Sequence, residues 1–357
     1  MVYADYAATY PYVKYPSSAY GPFFNPNANY AYKEKRLLSE AENRVKKAIG
    51  AKGGKVVFGG TSSQLIENLM NYEFEGRRKF SRFTEYCIGS KYEHDSFDTF
   101  LITRVANIEQ FKDALTKNRG YRGCTFWQGV NNITGEVFPI EEIGFICHGY
   151  NCFYICDMTA MIGHVPIPAN IDQWCDCAVW SGHKLGTELG IGAMWISDRL
   201  DEWLNGFKLH GTPNLAGALA MTQAVEDACD KEYVMSVNKQ WYTLMSDLYY
   251  LLKQDNPDVE RIGDKIASTY AINAIRLPGF NADALQQYLA SKQIYVSIGG
   301  SACAERHDYR ILETGYNLTK QEASEVIRIS FGKNSTFEDI EVLFKNICEF
   351  KKNYLDI

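Results

Sequence analysis

Five short stretches carry side chains that could do chemistry together. Gly59-Gly60-Thr61-Ser62-Ser63 is a glycine-rich run with hydroxyls, placed before a helix-like segment. Backbone N–H groups in such a loop can bind a phosphate. Glu93-His94 supplies an imidazole, Asn131-Asn132 a pair of amides and Asp157 a carboxylate. Ser181-Gly182-His183-Lys184 gathers a hydroxyl, an imidazole and an amine. The carboxylate can keep a pyridinium nitrogen protonated, and the lysine can form a Schiff base with an aldehyde. Ser181 and His183 can add donors to the phosphate. An anchored phosphate, an acidic partner for a ring nitrogen and an amine on an aldehyde are what pyridoxal 5'-phosphate requires.

Each part alone has a plainer reading. A Gly-Gly-Thr-Ser run is more often only a turn, and a lone aspartate at a strand end more often a turn former or cap. Lys184 would by default be solvated, His94 a satisfied histidine, and Arg328 the solvent face of a half-buried strand. The joint pattern, in order and at strand ends, outweighs these readings.

The elements that must position these groups alternate. Lys55–Phe58 reads as a strand running into the glycine loop, and Gln64–Tyr72 as a helix. Glu85–Ser90, Gly123–Val130, Cys152–Cys156 and Cys177–Trp180 read as strands, and Ile140–His148 as a helix. The strands are apolar throughout, which predicts a parallel sheet buried on both faces. Ligands of such sheets bind beyond the carboxyl ends of the strands. The Gly-Gly-Thr-Ser-Ser loop, His94, Asn132, Asp157 and the Ser-Gly-His-Lys run are therefore expected along one edge.

Outside this core, residues 1–30 form an irregular arm whose aromatics call for burial. The spacing of Leu38, Ala41, Val45 and Ala48 predicts a helix over Tyr30–Ile49. A long helical stretch covers Leu215 to about Leu252. Thr319-x-x-Glu322 and Ser335-x-x-Glu338 read as capping boxes, and Ile327–Phe331 alternates with period two. We expect an arm over 1–15 packing with a small domain, a large cofactor-binding domain over 16–235, and a small C-terminal domain over 236–357.

Composition narrows the class. Hydrophobic residues make up 46% of the 357 and charged residues 22%, enough for a full core. The 37 basic and 43 acidic side chains leave a net charge of −6 without a basic block, which argues against nucleic acid or an anionic membrane as partner. No apolar run reaches membrane-spanning length, and the start lacks signal-peptide character. The ten cysteines are expected as reduced thiols in a cytoplasmic protein. Cys175 and Cys177 lack a second ligand pair, so no metal site is expected.

The chain resembles the cysteine desulfurases of the NifS/IscS type, in the class V aminotransferase superfamily of fold type I. The likeness runs in order over nearly the whole length. It is carried by Tyr3-Ala4-Asp5-Tyr6-Ala7-Ala8-Thr9, Asn25-Pro26-Asn27, Glu93-His94, Val130-Asn131-Asn132 and Asp157-Met158-Thr159. It continues through Ser181-Gly182-His183-Lys184 with Gly190-Ile191-Gly192-Ala193, Gly211-Thr212, Gly300-Ser301-Ala302-Cys303 and Ile327-Arg328-Ile329-Ser330.

The resemblance implies an α/β fold, with a large, mainly parallel domain plus a smaller C-terminal α+β domain. It implies pyridoxal 5'-phosphate on Lys184, with Asp157 at the ring nitrogen, His94 against the ring and Asn132 near the ring hydroxyl and the substrate. Thr61 or Ser62, with Ser181 and His183, would hold the phosphate, joined by Thr212 from the partner subunit of a homodimer. Arg328 would bind the carboxylate of L-cysteine. Cys303 would take its sulfur as a persulfide, releasing L-alanine, for hand-off to an acceptor protein such as an iron–sulfur scaffold. Glu305, Arg306 and His307 follow Cys303, and the cations would favour its thiolate. Ala160 stands where the family usually carries glutamine. Alternatives are a selenocysteine or cysteine lyase, an aminotransferase-like enzyme, or a homologue without catalysis.

Overall fold

The computed structural model of the chain describes residues 1–74, 77–78, 85–263, 267–299 and 309–354. The chain divides into two compact units. One comprises Tyr12–Gly129 and Phe138–Val234; the other comprises Met1–Pro11, Val130–Val137 and Met235–Ile357.

In chain order the strands are β1 (Val2–Tyr3), β2 (Lys55–Gly59), β3 (Glu73–Phe74), β4 (Arg77–Arg78), β5 (Tyr86–Ser90), β6 (Thr103–Val105), β7 (Gly123–Phe126) and β8 (Cys152–Asp157). They continue with β9 (Cys177–Ser181), β10 (Gly192–Ile196), β11 (Glu260–Ile262), β12 (Ile272–Arg276), β13 (Ile294–Tyr295), β14 (Ser297–Ile298) and β15 (Val326–Ser330).

The first unit is built on a seven-stranded sheet in the order β2-β10-β9-β8-β7-β5-β6. All neighbours from β9 to β6 are parallel. β10 runs against both β9 and β2, so six of the seven strands point the same way. β5, β7, β9 and β10 are buried at every position, the signature of a sheet covered on both faces. Leu65, Ile66 and Leu69 of helix α2 (Ser62–Met70) pack with Phe97, Phe126, Ile155, Val179 and Met194 in that core. Helix α1 (Tyr32–Ala48) buries Glu34, Ala41 and Val45 and packs on helix Leu215–Ala228, where Arg44 pairs with Glu226.

Three expectations shift. The third strand ends at Phe126 rather than Val130, so Asn131 and Asn132 do not terminate it. They lie in the 130–137 segment of the second unit, where Val130 bridges Val137. The long helical stretch is two helices, Leu215–Ala228 and Lys231–Asp255, because Asp230 accepts the Tyr233 N–H and restarts the ladder. The last capping box is Thr336 with Asp339, not Ser335 with Glu338. Ser335 Oγ instead accepts the Gly332 N–H.

The second unit carries an antiparallel sheet, β11-β12-β15-β14, with helices Ala282–Ser291 and Phe337–Tyr354. β1 pairs in parallel with β13, and Asp5 bridges Ser330 at the end of β15. β15 is buried at all five positions. The period-two pattern around Arg328 therefore marks two covered faces, and this arginine is not on a solvated one.

Candidate active site

The carboxyl ends of β2 and β9 meet through the reversed strand. Gly192, which opens β10, is in register with both Gly59 and Ser181. A Cβ at 192 would stand 2.9 Å from the Gly60 carbonyl oxygen and 3.1 Å from the Ser62 nitrogen, so only hydrogen fits. α2 starts here. Thr61 is its N-cap: Thr61 Oγ1 accepts the Gln64 N–H at 3.2 Å, and Gln64 Oε1 accepts the Thr61 N–H at 3.0 Å. That commits the Thr61 hydroxyl to the helix. Ser62 turns to the sheet edge instead, its N–H 3.3 Å and its hydroxyl 2.8 Å from Ser181 Oγ. Of the two hydroxyls the sequence left open, Ser62 is the one beside Ser181, at a helix N-terminus suited to an anion.

Asp157 closes β8. Its Oδ1 accepts the Thr159 N–H at 2.8 Å, while Oδ2 takes no hydrogen bond from any described residue. Thr159 Oγ1 is buried and likewise has no partner among the described residues. Lys184 sits in the short turn Gly182–Leu185 that follows β9, half-buried.

Lys184 imposes its charge on three imidazoles. Burial and the nearby ammonium hold His94 below its usual pKa, against an opposing pull from Asp157. Burial and the same charge push His183 down to about 4. His164 is lowered chiefly by burial, with Lys184 adding to it. All three are neutral near pH 7. Ser96 N–H donates to His94 Nδ1 at 3.2 Å, so the neutral ring carries its proton on Nε2. Behind it, burial pushes the Glu93 carboxyl up to about 7, although the Ser90 hydroxyl and the Gln128 N–H both donate to it.

His164 escaped the sequence reading. Its only signal was proximity to Asp157, seven residues earlier, in a stretch read for the missing glutamine. Ala160 fills that place, buried, and its carbonyl accepts from His164 Nδ1 at 2.9 Å. Met161 packs so close to Gly129 that a Cβ there would meet its sulfur at 2.5 Å.

Thr212 is exposed, on a loop held by Asn27 Nδ2 donating to the Gly211 carbonyl at 3.1 Å and by Asn25 at 3.5 Å from its hydroxyl. With Gly59, Gly60, Lys208 and His210 it lines a cleft of about 530 Å³. In the second unit, Arg328 Nη1 donates to the Asn132 carbonyl at 3.1 Å, and Nη2 meets Asp5 Oδ1 at 2.8 Å and Ser297 Oγ at 2.9 Å. Cys303, with Gly300, Ser301 and Ala302 before it and Glu305, Arg306 and His307 after it, lies outside the described residues.

The first unit thus brings together Lys184, Asp157, His94, His183, Ser62 and Ser181, with Thr61 behind them. A carboxylate oxygen without a donor, an amine, and a serine pair at a helix start fit the ring nitrogen, aldehyde and phosphate of pyridoxal phosphate.

Comparison with known proteins agrees. The profile of the family described as aminotransferase class-V matches residues 103–343. The chain is 25% identical over 378 aligned positions to the cysteine desulfurase IscS of Clostridium botulinum, covering 96% of this chain and 92% of that one. It is 26% identical to the cysteine desulfurase IscS of Dictyoglomus turgidum over 95% of this chain and 91% of that one. Among solved structures, a NifS-like protein from Rickettsia africae superposes with a TM-score of 0.82 at 20% identity, covering 99% of each chain. That superposition establishes the fold.

Proposed function

The chain belongs to the class-V aminotransferases, a family of pyridoxal-phosphate enzymes of fold type I, and from this premise we propose that it is a cysteine desulfurase. It would convert L-cysteine to L-alanine and hold the sulfur on Cys303 as a persulfide for an acceptor protein. Two relatives named cysteine desulfurase, matched over nine-tenths or more of both chains, support this reading. The observation that carries its cofactor chemistry is Asp157 Oδ2, a carboxylate oxygen with no donor among the described residues, on the same sheet edge as Lys184.

The cofactor, when bound, supplies an electron sink that lets electron density build up on the substrate's carbon skeleton. The chain supplies the rest. Lys184 Nζ would be the amine that anchors the aldehyde and would afterwards move protons at the substrate Cα. Asp157 Oδ2 would accept from the ring nitrogen and keep it charged. The α2 N-terminus, Ser62, Ser181 and His183 would hold the phosphate, with Thr212 of a second copy in a homodimer. His94 would face the ring and offer Nε2–H as a donor. Arg328 and Asn132 take the substrate carboxylate. The Cys303 thiolate attacks the substrate sulfur and an S–S bond forms. The electron pair of the broken C–S bond leaves with Cβ, which takes a proton to complete the methyl group of alanine.

The test is incubation of purified protein with L-cysteine, measuring alanine and protein-bound persulfide by mass spectrometry. We expect equimolar alanine and sulfane sulfur, with the mass gain on the Cys303 peptide. Cys303→Ser should abolish both; a variant that still forms alanine at the full rate would make the enzyme a lyase. The acceptor classes we expect in the cytoplasm are an iron–sulfur scaffold, a tRNA-thiolation protein or a biosynthetic sulfur carrier. Among the described residues, no helix is long and apolar enough to cross a membrane.

A further inference from the structure

A guanidinium grips a carboxylate most strongly with two parallel N–H···O bonds. It has two such forks, one formed by Nε with Nη2 and the other by Nη1 with Nη2, so Nη2 belongs to both. In Arg328 that nitrogen is taken. Asp5 Oδ1 lies 2.8 Å from it and Ser297 Oγ 2.9 Å, and Ser297 Oγ in turn donates to Asp5 Oδ1 at 2.8 Å. Nη1 is on the Asn132 carbonyl at 3.1 Å. What remains is Nε, a buried donor with no partner among the described residues, and the side-chain Oδ1 of the same Asn132, a buried acceptor likewise with no partner among them. One guanidinium donor is thus left open, while the shared nitrogen of both forks is occupied by a carboxylate of the chain itself.

The two ends of this ion pair differ in access. The Arg328 side chain is 1% exposed and that of Asp5 is 18%. Arg328 is fixed in the middle of β15, paired on both sides. Asp5 sits on the N-terminal arm, just past the two-residue strand β1, where a single bridge to Ser330 continues the pairing. The arginine is the fixed element, and the aspartate is the one with water beside it.

We propose that Asp5 occupies the place of the substrate carboxylate on Arg328, and that substrate binds by exchanging with it. This deepens the proposed function, resting on Arg328 as the carboxylate site. Asp5 is then a specificity-setting residue: it keeps the buried guanidinium neutralised between turnovers and makes any incoming ligand compete with an internal anion. Amines without a carboxylate gain nothing by displacing it. The N-terminal arm is released each time a carboxylate-bearing amino acid docks.

Two measurements test this on the full-length holoenzyme. Asp5→Asn keeps the shape and a carbonyl acceptor but replaces a charge-assisted bond with a neutral one. The KM for L-cysteine should fall about tenfold with kcat little changed, the factor separating those two bond classes. An unchanged or higher KM overturns the proposal. Independently of turnover, amide hydrogen exchange over residues 2–9 should speed up several-fold when L-alanine is added and stay unchanged with ethylamine, which has no carboxylate. An arm equally protected with and without L-alanine overturns the proposal even if the wild type forms alanine from cysteine. Should the wild type form no alanine from cysteine while the exchange response to L-alanine persists, the desulfurase reading fails and the Asp5 exchange stands.

Discussion

On the sheet edge of the first unit, Asp157 leaves Oδ2 without a donor among the described residues, and Ser62 and Ser181 face each other at the start of α2. In the second unit, Arg328 is already satisfied on both terminal nitrogens by Asp5, Ser297 and Asn132. On the proposed function, the difference follows from what each region would hold. A resident cofactor can be met by groups frozen in place at strand ends. A substrate that enters and leaves at every turnover needs a charge stabilised in the interval, because a buried guanidinium without a counter-ion is costly. Preorganisation in one region and internal neutralisation in the other are two answers to the same desolvation problem.

That contrast can be broken in order of expected effect. Lys184→Ala should remove the visible absorbance of bound pyridoxal phosphate and lower alanine formation by at least about a thousandfold. Retention of either would dissolve the reading of the first region. Arg328→Ala strands Asp5 without its partner. We expect a loss of about 3 kcal/mol in unfolding free energy by urea titration, the lower end for breaking a buried pair because Asp5 keeps some water. A near-neutral result would mean the second region is not held by its ion pair. Thr61→Ala should cost about 1 kcal/mol, as for a typical N-cap, while leaving the Ser62–Ser181 contact able to hold phosphate. Cofactor release far exceeding the stability loss would give Thr61 a direct role.

The smallest effect is in pH dependence. His183 is held near 4 in the fold, below its unfolded value of about 6.5. Between those values the unfolded chain binds more protons, so this group makes stability fall as pH drops from about 6.5 to 4. Glu93, raised to about 7, works in the opposite direction, since the fold binds its proton more tightly. The difference between wild type and His183→Gln isolates the histidine: the variant should lose less stability on acidification across that window. Parallel pH curves would show that burial and Lys184 together do not hold this ring down.

Much of the first region was legible because strand-end chemistry is local. Apolar runs followed by Gly-Gly-Thr-Ser-Ser, Asp157 or Ser-Gly-His-Lys carry their own punctuation. The direction of β10 was not legible: an apolar run such as Gly192–Ile196 reads the same whichever way it pairs. Nor was the choice between Thr61 and Ser62, since either hydroxyl can cap and the helix register decides. Ser335 and Thr336 pose the same ambiguity, each with an acid three residues on, and the structure places the cap at Thr336. The second region was least legible because its pairs are distant in sequence. Asp5 and Arg328 lie 323 residues apart, and period-two patterning could not tell a covered face from a wet one. The motif around Cys303 was read from sequence alone, and its residues are outside those described.

Three chain segments converge at Gly192, where the space left is that of a hydrogen atom. Replacing it with alanine would therefore act at a distance from its own strand, wedging the start of α2 away from the end of β9. Weaker holding of an anion at the Ser62–Ser181 edge would be the result, and directed evolution of this scaffold would find the position closed to every side chain.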